Sequence, residues 1–226
     1  MIENKSVPPP GKKGFFAHPS ALVESATVGD GTRIWAFVHV LEGARIGRDC
    51  MICDGAFIEG GAVVGDRVTI KNSVLIWEGV RIESDAFIGP GVVFTNDLLP
   101  RSPRGLFVGP RHRSKEWLSP TVVRRNASIG ANATVICGIT IGRHAMVGAG
   151  SVVTKDVPAH ALVVGSPARV VGWVSPTGAR LRFDESGIAR CRDSETLWKQ
   201  SKSGRISPIK ARTGHPTSEA SRRNSG

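Results

Sequence analysis

An apolar residue recurs at every sixth position, and this period constrains the fold more than any other feature of the chain. The positions are Leu22, Val28, Ile34, Val40, Ile46, Ile52, Ile58, Val64, Ile70, Ile76, Ile82, Ile88 and Phe94, thirteen in succession. With roughly 45–50% apolar residues in an average protein, chance gives such a run odds on the order of one in ten thousand. The fifth residue of each hexad is small or β-branched, as at Ala26, Thr32, Val38, Ala44 and Cys50. After an interruption the frame resumes, displaced by one, at Val123, Ile129, Val135, Ile141, Val147 and Val153. A period of six matches neither a helix nor an alternating strand. It fits a short strand followed by a tight turn, three of which close one triangular coil. The first residue of each hexad then points into a prism, and the fifth fills a narrow corner. At the usual strand spacing of about 4.8 Å, roughly six stacked coils make a prism about 30 Å tall.

The chain has 226 residues and a formal net charge of +11. Much of that excess lies after Lys199, in Lys202, Arg205, Lys210, Arg212, Arg222 and Arg223 against Glu219. The tail lacks interleaved aromatics, so no nucleic-acid partner is expected. Residues 199–226 are expected to be a disordered basic tail, residues 1–16 a flexible Pro-, Gly- and Lys-rich segment, and 176–198 a cap on the prism. Residues 17–175 form the repeat domain. The insertion 97–121 carries Pro100, Arg101, Arg104, Phe107, Arg111, Arg113 and Trp117, and is expected to be a functional arm. No apolar stretch approaches the roughly 18 residues needed to span a bilayer, and no secretory segment opens the chain. No membrane association is therefore expected, and a cytoplasmic location is. Cys50 and Cys53 form a C-x-x-C, but the repeat frame already explains Cys50 as an inward fifth residue. No metal is expected, because no closely spaced histidines fall on one coil.

The segment IGANATVICGITIGRHAMVGAGSVVTKDVPAHALVVGSPARVVGW resembles the C-terminal half of the hexapeptide-repeat acyltransferases. Four further runs narrow the resemblance to the group that N-acetylates nucleotide-linked amino sugars. They are TRIW at 32–35, VTIKNSV at 68–74, DAFIGPGVVFTND at 85–97 and PRS at 100–102. The resemblance covers about Ala17 to Leu181. It implies a left-handed parallel β-helix, a homotrimer, and acetyl-CoA lying between neighbouring prisms beside a UDP- or dTDP-linked sugar used for surface glycan synthesis. The sequence departs from the family at Ala36, Asp54 and Gly55, where a histidine and a Gln-Asn pair are usual. The acetyl-transfer machinery is then retained while the sugar differs.

The resemblance also assigns residues. Asn96, at the base of the arm, stands at the reacting centre, where its amide orients the amine or donates to the oxyanion. No histidine follows until His112, so catalysis without a protein base is expected, with Asp97 as the rival base. Acetyl-CoA is expected at Gly148, Ala149, Gly150, Lys155, Ser166, Pro167 and Arg169. There the glycines would admit its backbone approach and the cations would meet its phosphates. The sugar nucleotide is expected at Arg33, Trp35, Lys71, Asn72 and Arg101. Rival readings are acetyl transfer to another amine or hydroxyl, a catalytically silent trimer, and a zinc carbonic anhydrase, which the scattered histidines disfavour.

Overall fold

The computed structural model describes residues 13–102, 104–105, 109–112 and 114–209. Residues 1–12 and 210–226, with Phe107 and Arg113, lie outside the described residues. The chain divides into two compact units, Met1–Leu181 and Arg182–Gly226.

The first unit is a left-handed parallel β-helix of about eight turns. Its strands are mostly two residues long and fall into a ten-, a seven- and a five-stranded sheet. Successive coils pair eighteen residues apart, as in Ile34↔Ile52 and Ile52↔Ile70. Across the arm the offset is larger, with Ile82 opposite Val123 and Ile88 opposite Ile129. The expected inward positions from Ile34 to Phe94 and from Val123 to Val153 are all buried. So are the fifth residues from Thr32 to Val92. Thr32 lies inside without cost because its hydroxyl donates to Gly47 O at 2.7 Å and accepts from Cys50 N at 3.0 Å.

The frame fails at its start. Leu22 is 53% exposed and Ala26 is exposed. Val23, not Leu22, lies opposite Val40, while Val28 bridges to Ile46. The step from Val23 to Val28 is therefore one residue short. Ser25 fills this shortened corner: it is buried, and its hydroxyl donates to Ala44 O at 2.7 Å. Leu22 and Val23 are both apolar, so hydropathy could not choose between them. The six coils expected are also too few. Phe16–Ala17 adds strand before the counted frame and Ala161–Val164 adds strand after it.

The last parallel strand, Ala161–Val164, turns at Gly165–Ala168 and returns antiparallel as Arg169–Val174, which pairs with Arg180–Leu181. The second unit is a three-stranded antiparallel sheet of Ile188–Arg190, Leu197–Gln200 and Ile206–Pro208 around buried Ala189, Cys191 and Trp198. The boundary expected between 198 and 199 falls inside one of these strands. Net charge hid a short sheet whose apolar positions are sparse.

Candidate functional site

Three turns per coil give the prism three corners. The first joins the ten- to the seven-stranded sheet, the second joins the seven- to the five-stranded sheet, and the third returns to the ten-stranded sheet. The arm leaves from the second corner. Asn96 follows strand Val93–Phe94 and is anchored by buried Phe94 and by Thr95 N–H donating to Val135 O at 3.1 Å. Its carbonyl accepts Ser119 N–H at 2.9 Å, and its half-buried amide donates to Glu78 O at 3.5 Å. Asp97 bridges to Leu118, so the two ends of the arm close on each other.

Asp97 is already engaged. Its Oδ1 accepts from Leu99 N–H and from the Arg111 guanidinium, both at 2.9 Å. This geometry suits holding the arm in place. Glu78 adds a second tie by ion-pairing with Lys115, and its own N–H donates to Glu59 Oε2 at 2.7 Å. Two glycines make room for these ties. A Cβ on Gly79 would meet Leu118 Cδ1 at 3.0 Å, and one on Gly61 would meet Glu78 Cγ at 3.0 Å. Arg111 was expected only as one of the arm's cations, and Glu78 and Lys115 were not singled out from sequence, because their pairing depends on how the arm folds back.

Lys155 shares the second corner, between strand Val152–Val153 and the Val157 bridge to Ile141. The other expected residues lie elsewhere. Trp35, Lys71, Asn72, Gly148, Ala149, Gly150, Ser166 and Pro167 stand at the first corner, with Arg169 opening the returning strand. Arg33 is on the outer face of the ten-stranded sheet, and Arg101 is exposed on the arm, donating to Pro100 O. Trp35 packs edge-on against Phe16 with ring centroids 5.8 Å apart. One prism thus divides the expected residues between two edges of its seven-stranded sheet and does not bring them together. Gly148 is explained by packing within the chain, since a Cβ there would meet Val164 Cγ1 at 2.7 Å. Gly150 has φ +67° and open space around its Cβ position.

The third corner holds the strongest electrostatic perturbations. Asp85 is held below the usual carboxylate range by Arg67, at 2.6 Å, and by Arg125, at 2.9 Å. Burial pushes Glu83 up, but Arg124 and the Arg125 N–H outweigh it and the net shift is downward. His144 stacks on His160 with centroids 4.7 Å apart, and burial, His160 and Arg143 push it down to about 4. A cavity of about 550 Å³ opens beside them, lined by Asp85, Asn126, Ser128, His144, Met146 and Thr177. No residue expected at the site lines it. Among the described residues no group of three or more His, Cys, Asp or Glu is placed to hold a metal ion. No helix of the described residues is long and apolar enough to cross a membrane.

The bacterial transferase hexapeptide model (six repeats) matches residues 25–60 and 120–155. The chain is 52% identical over 177 residues to dTDP-3-amino-3,6-dideoxy-α-D-galactopyranose 3-N-acetyltransferase of Aneurinibacillus thermoaerophilus, covering 78% of this chain and 88% of that one. It is 46% identical over 57 residues to a 2,3,4,5-tetrahydropyridine-2,6-dicarboxylate N-acetyltransferase of Staphylococcus aureus, covering 25% of this chain and 24% of that one. Among solved structures it is similar to the GDP-perosamine N-acetyltransferase of Caulobacter crescentus in complex with CoA and GDP-perosamine. That similarity has 24% identity and a TM-score of 0.42, and covers 71% of this chain and 57% of that one. The inward hexads, the arm at the second corner and the extended similarity to one N-acetyltransferase agree: the chain belongs to the hexapeptide-repeat acyltransferase family.

Proposed function

We propose that this enzyme transfers the acetyl group of acetyl-CoA to the amino group of a dTDP- or UDP-linked amino sugar, in surface glycan synthesis. The observation that carries the reading is 52% identity across 88% of a dTDP-3-amino-sugar 3-N-acetyltransferase and 78% of this chain. Asn96, tied to Glu78 O at the base of the arm, supplies the amide at the reacting centre. The neutral amine attacks the thioester carbonyl carbon to form a C–N bond and an oxyanion. The C–S bond then breaks, the carbonyl reforms, and the CoA thiolate takes the ammonium proton directly or through water. No protein base is required, and Asp97 serves to hold Arg111 and the arm.

The two edges that carry the expected residues meet in a homotrimer, where the first corner of one copy faces the second corner of the next. The outer faces support this assembly. The ten- and seven-stranded sheets expose Met51, Phe87, Leu22 and Val93, whereas the five-stranded sheet presents Arg45 and Arg81. Gly150, Lys155, Ser166, Pro167 and Arg169 then border CoA, and Arg33, Trp35, Lys71, Asn72 and Arg101 border the sugar nucleotide. All four cysteines are free and buried, which fits a reducing cytoplasm. The test follows free thiol while purified enzyme is mixed with acetyl-CoA and a panel of dTDP- and UDP-linked amino sugars. Sugar-dependent thiol release supports the reading. CoA binding without release for any sugar sinks the acceptor class, and no CoA binding at all moves the assignment to a silent scaffold.

A further inference from the structure

The five-stranded sheet and the third corner carry charge that acetyl transfer does not use. Arg45, Val63, Arg81, Val122 and Thr140 are the outward residues along this sheet. The neighbouring carboxylates are already taken. Glu83 accepts from Arg124 at 2.7 Å and from Arg125 N–H at 3.0 Å, and Asp85 accepts from Arg67 and Arg125. Asp66 lies 3.9 Å from Arg48. Among the described residues, the side chains of Arg45, Arg81 and Arg143 make no hydrogen bond or ion pair. Arg143 feels the charge of Glu83 only at longer range.

Arg81 and Arg143 border the same groove, of about 310 Å³, with Val63, Gly65, Ile82 and Ser84 along it and Arg125 and the Arg124-paired Glu83 beside them. Arg125 and Arg143 occupy equivalent places on successive coils, since His144 N–H donates to Arg125 O. That stacking sets two guanidinium stems about 4.8 Å apart at their backbones. Arg125 is paired with Asp85 and Glu83 with Arg124, so Arg81 and Arg143 are the two guanidiniums on this groove left without a carboxylate, and they repel one another until an anion joins them. Guanidinium forks match phosphate oxygens two at a time, so adjacent phosphates suit the spacing. The sheet's outward residues include no aromatic side chain, which argues against a single-stranded nucleic acid as the occupant.

We propose that the Arg81–Arg143 groove binds a small phosphate-bearing anion of the pyrophosphate class, at a site separate from Asn96 and Lys155. Its occupant is either the diphosphate of a nucleotide, the diphosphate of CoA, or inorganic pyrophosphate. The experiment is calorimetric titration of the full chain with sodium pyrophosphate at low ionic strength. It is repeated on Arg81→Gln/Arg143→Gln and on Lys155→Gln/Arg169→Gln. The expected result is saturable binding that weakens as salt rises, falls at least about tenfold in the first variant and persists in the second, which removes only phosphate contacts at the CoA residues. The first variant should melt at the wild-type temperature without ligand, since both side chains are exposed. Absent binding to wild type, or loss confined to the Lys155/Arg169 variant, overturns the proposal. Competition then assigns the source. Displacement by dTDP alone points to the nucleotide, displacement by CoA alone to the cofactor, and displacement by neither to pyrophosphate itself.

Discussion

The second and third corners of the prism solve one backbone problem in opposite ways. Most turns hold a residue at positive φ. At the second corner that residue is glycine, at Gly43, Gly61, Gly79 and Gly138. At the third it is Gly31 in the first coil and then Asp49, Arg67, Asp85, Asn126, His144 and His160. An L-residue in this conformation costs about 1–2 kcal/mol, less for Asn, Asp and His than for most. At Gly79 and Gly61 the glycine also leaves room for a close neighbour, Leu118 and Glu78. Side chains mark the corner that stays open and carries charge. A corner's composition shows whether it serves packing or electrostatics.

The comparison can be broken most severely at the arm. Asn96→Ala should lower kcat about 100-fold, as loss of an oxyanion or orienting donor does elsewhere, with the melting temperature nearly unchanged. Thiol-release kinetics beside a melting curve would check this. Equal kcat would remove Asn96 from the reacting centre. Next in size is Gly79→Val, which combines left-handed strain with a crowded Leu118. It should cost about 2–3 kcal/mol in a urea titration and should lower activity by moving the arm. Gly43→Ala meets Gly61 N at 3.7 Å and Gly60 Cα at 3.9 Å, both ordinary contacts. It should cost about 1 kcal/mol for strain alone and leave kcat intact. If the two glycine variants behave alike, the second corner is not shaped for the arm.

The third corner should respond more gently. Asp85→Asn keeps a residue suited to positive φ but loses the Arg67 and Arg125 pairs, which are partly exposed. About 1 kcal/mol or less is expected by denaturant titration, with no change in kcat. The smallest effect is in the pH dependence. His144 titrates near 4 when folded and near 6.5 when free, and His160 is also depressed by its burial. Between those values the unfolded chain binds more protons than the folded one. Stability contributed by the neutral pair is therefore present above pH 6.5 and drains away as pH falls toward 4. Arg143 and the ring of His160 oppose protonation of His144 from their side of the corner. His144→Asn should flatten the fall of melting temperature over that window; an unchanged slope would place the acid sensitivity elsewhere.

The hexad frame made the solenoid legible because each inward position tolerates only apolar residues and each corner only small ones. It misread Leu22 because two apolar residues stood side by side where one turn is short by a residue, and only buried Ser25 reveals the shift. The site was legible in part. The residue runs pointed to Asn96 and the last coils as the proposed site, but a sequence cannot show that these residues divide between two edges of one prism. Nor could it show that Gly148 is required by Val164, a neighbour supplied by the hairpin turn. The ion pairs Asp97–Arg111 and Glu78–Lys115 link residues whose separation in sequence carries no period. His144 and His160 sit sixteen residues apart in the chain, and only the coil register stacks them.

The most direct measurement is mass spectrometry and amine-specific labelling of the product formed from acetyl-CoA and a dTDP-linked 3-amino-3,6-dideoxyhexose. The proposed chemistry requires a product heavier by one acetyl group whose amine no longer labels. An unchanged sugar, or an acetylated one whose amine still labels, would contradict N-acetyl transfer to this acceptor class.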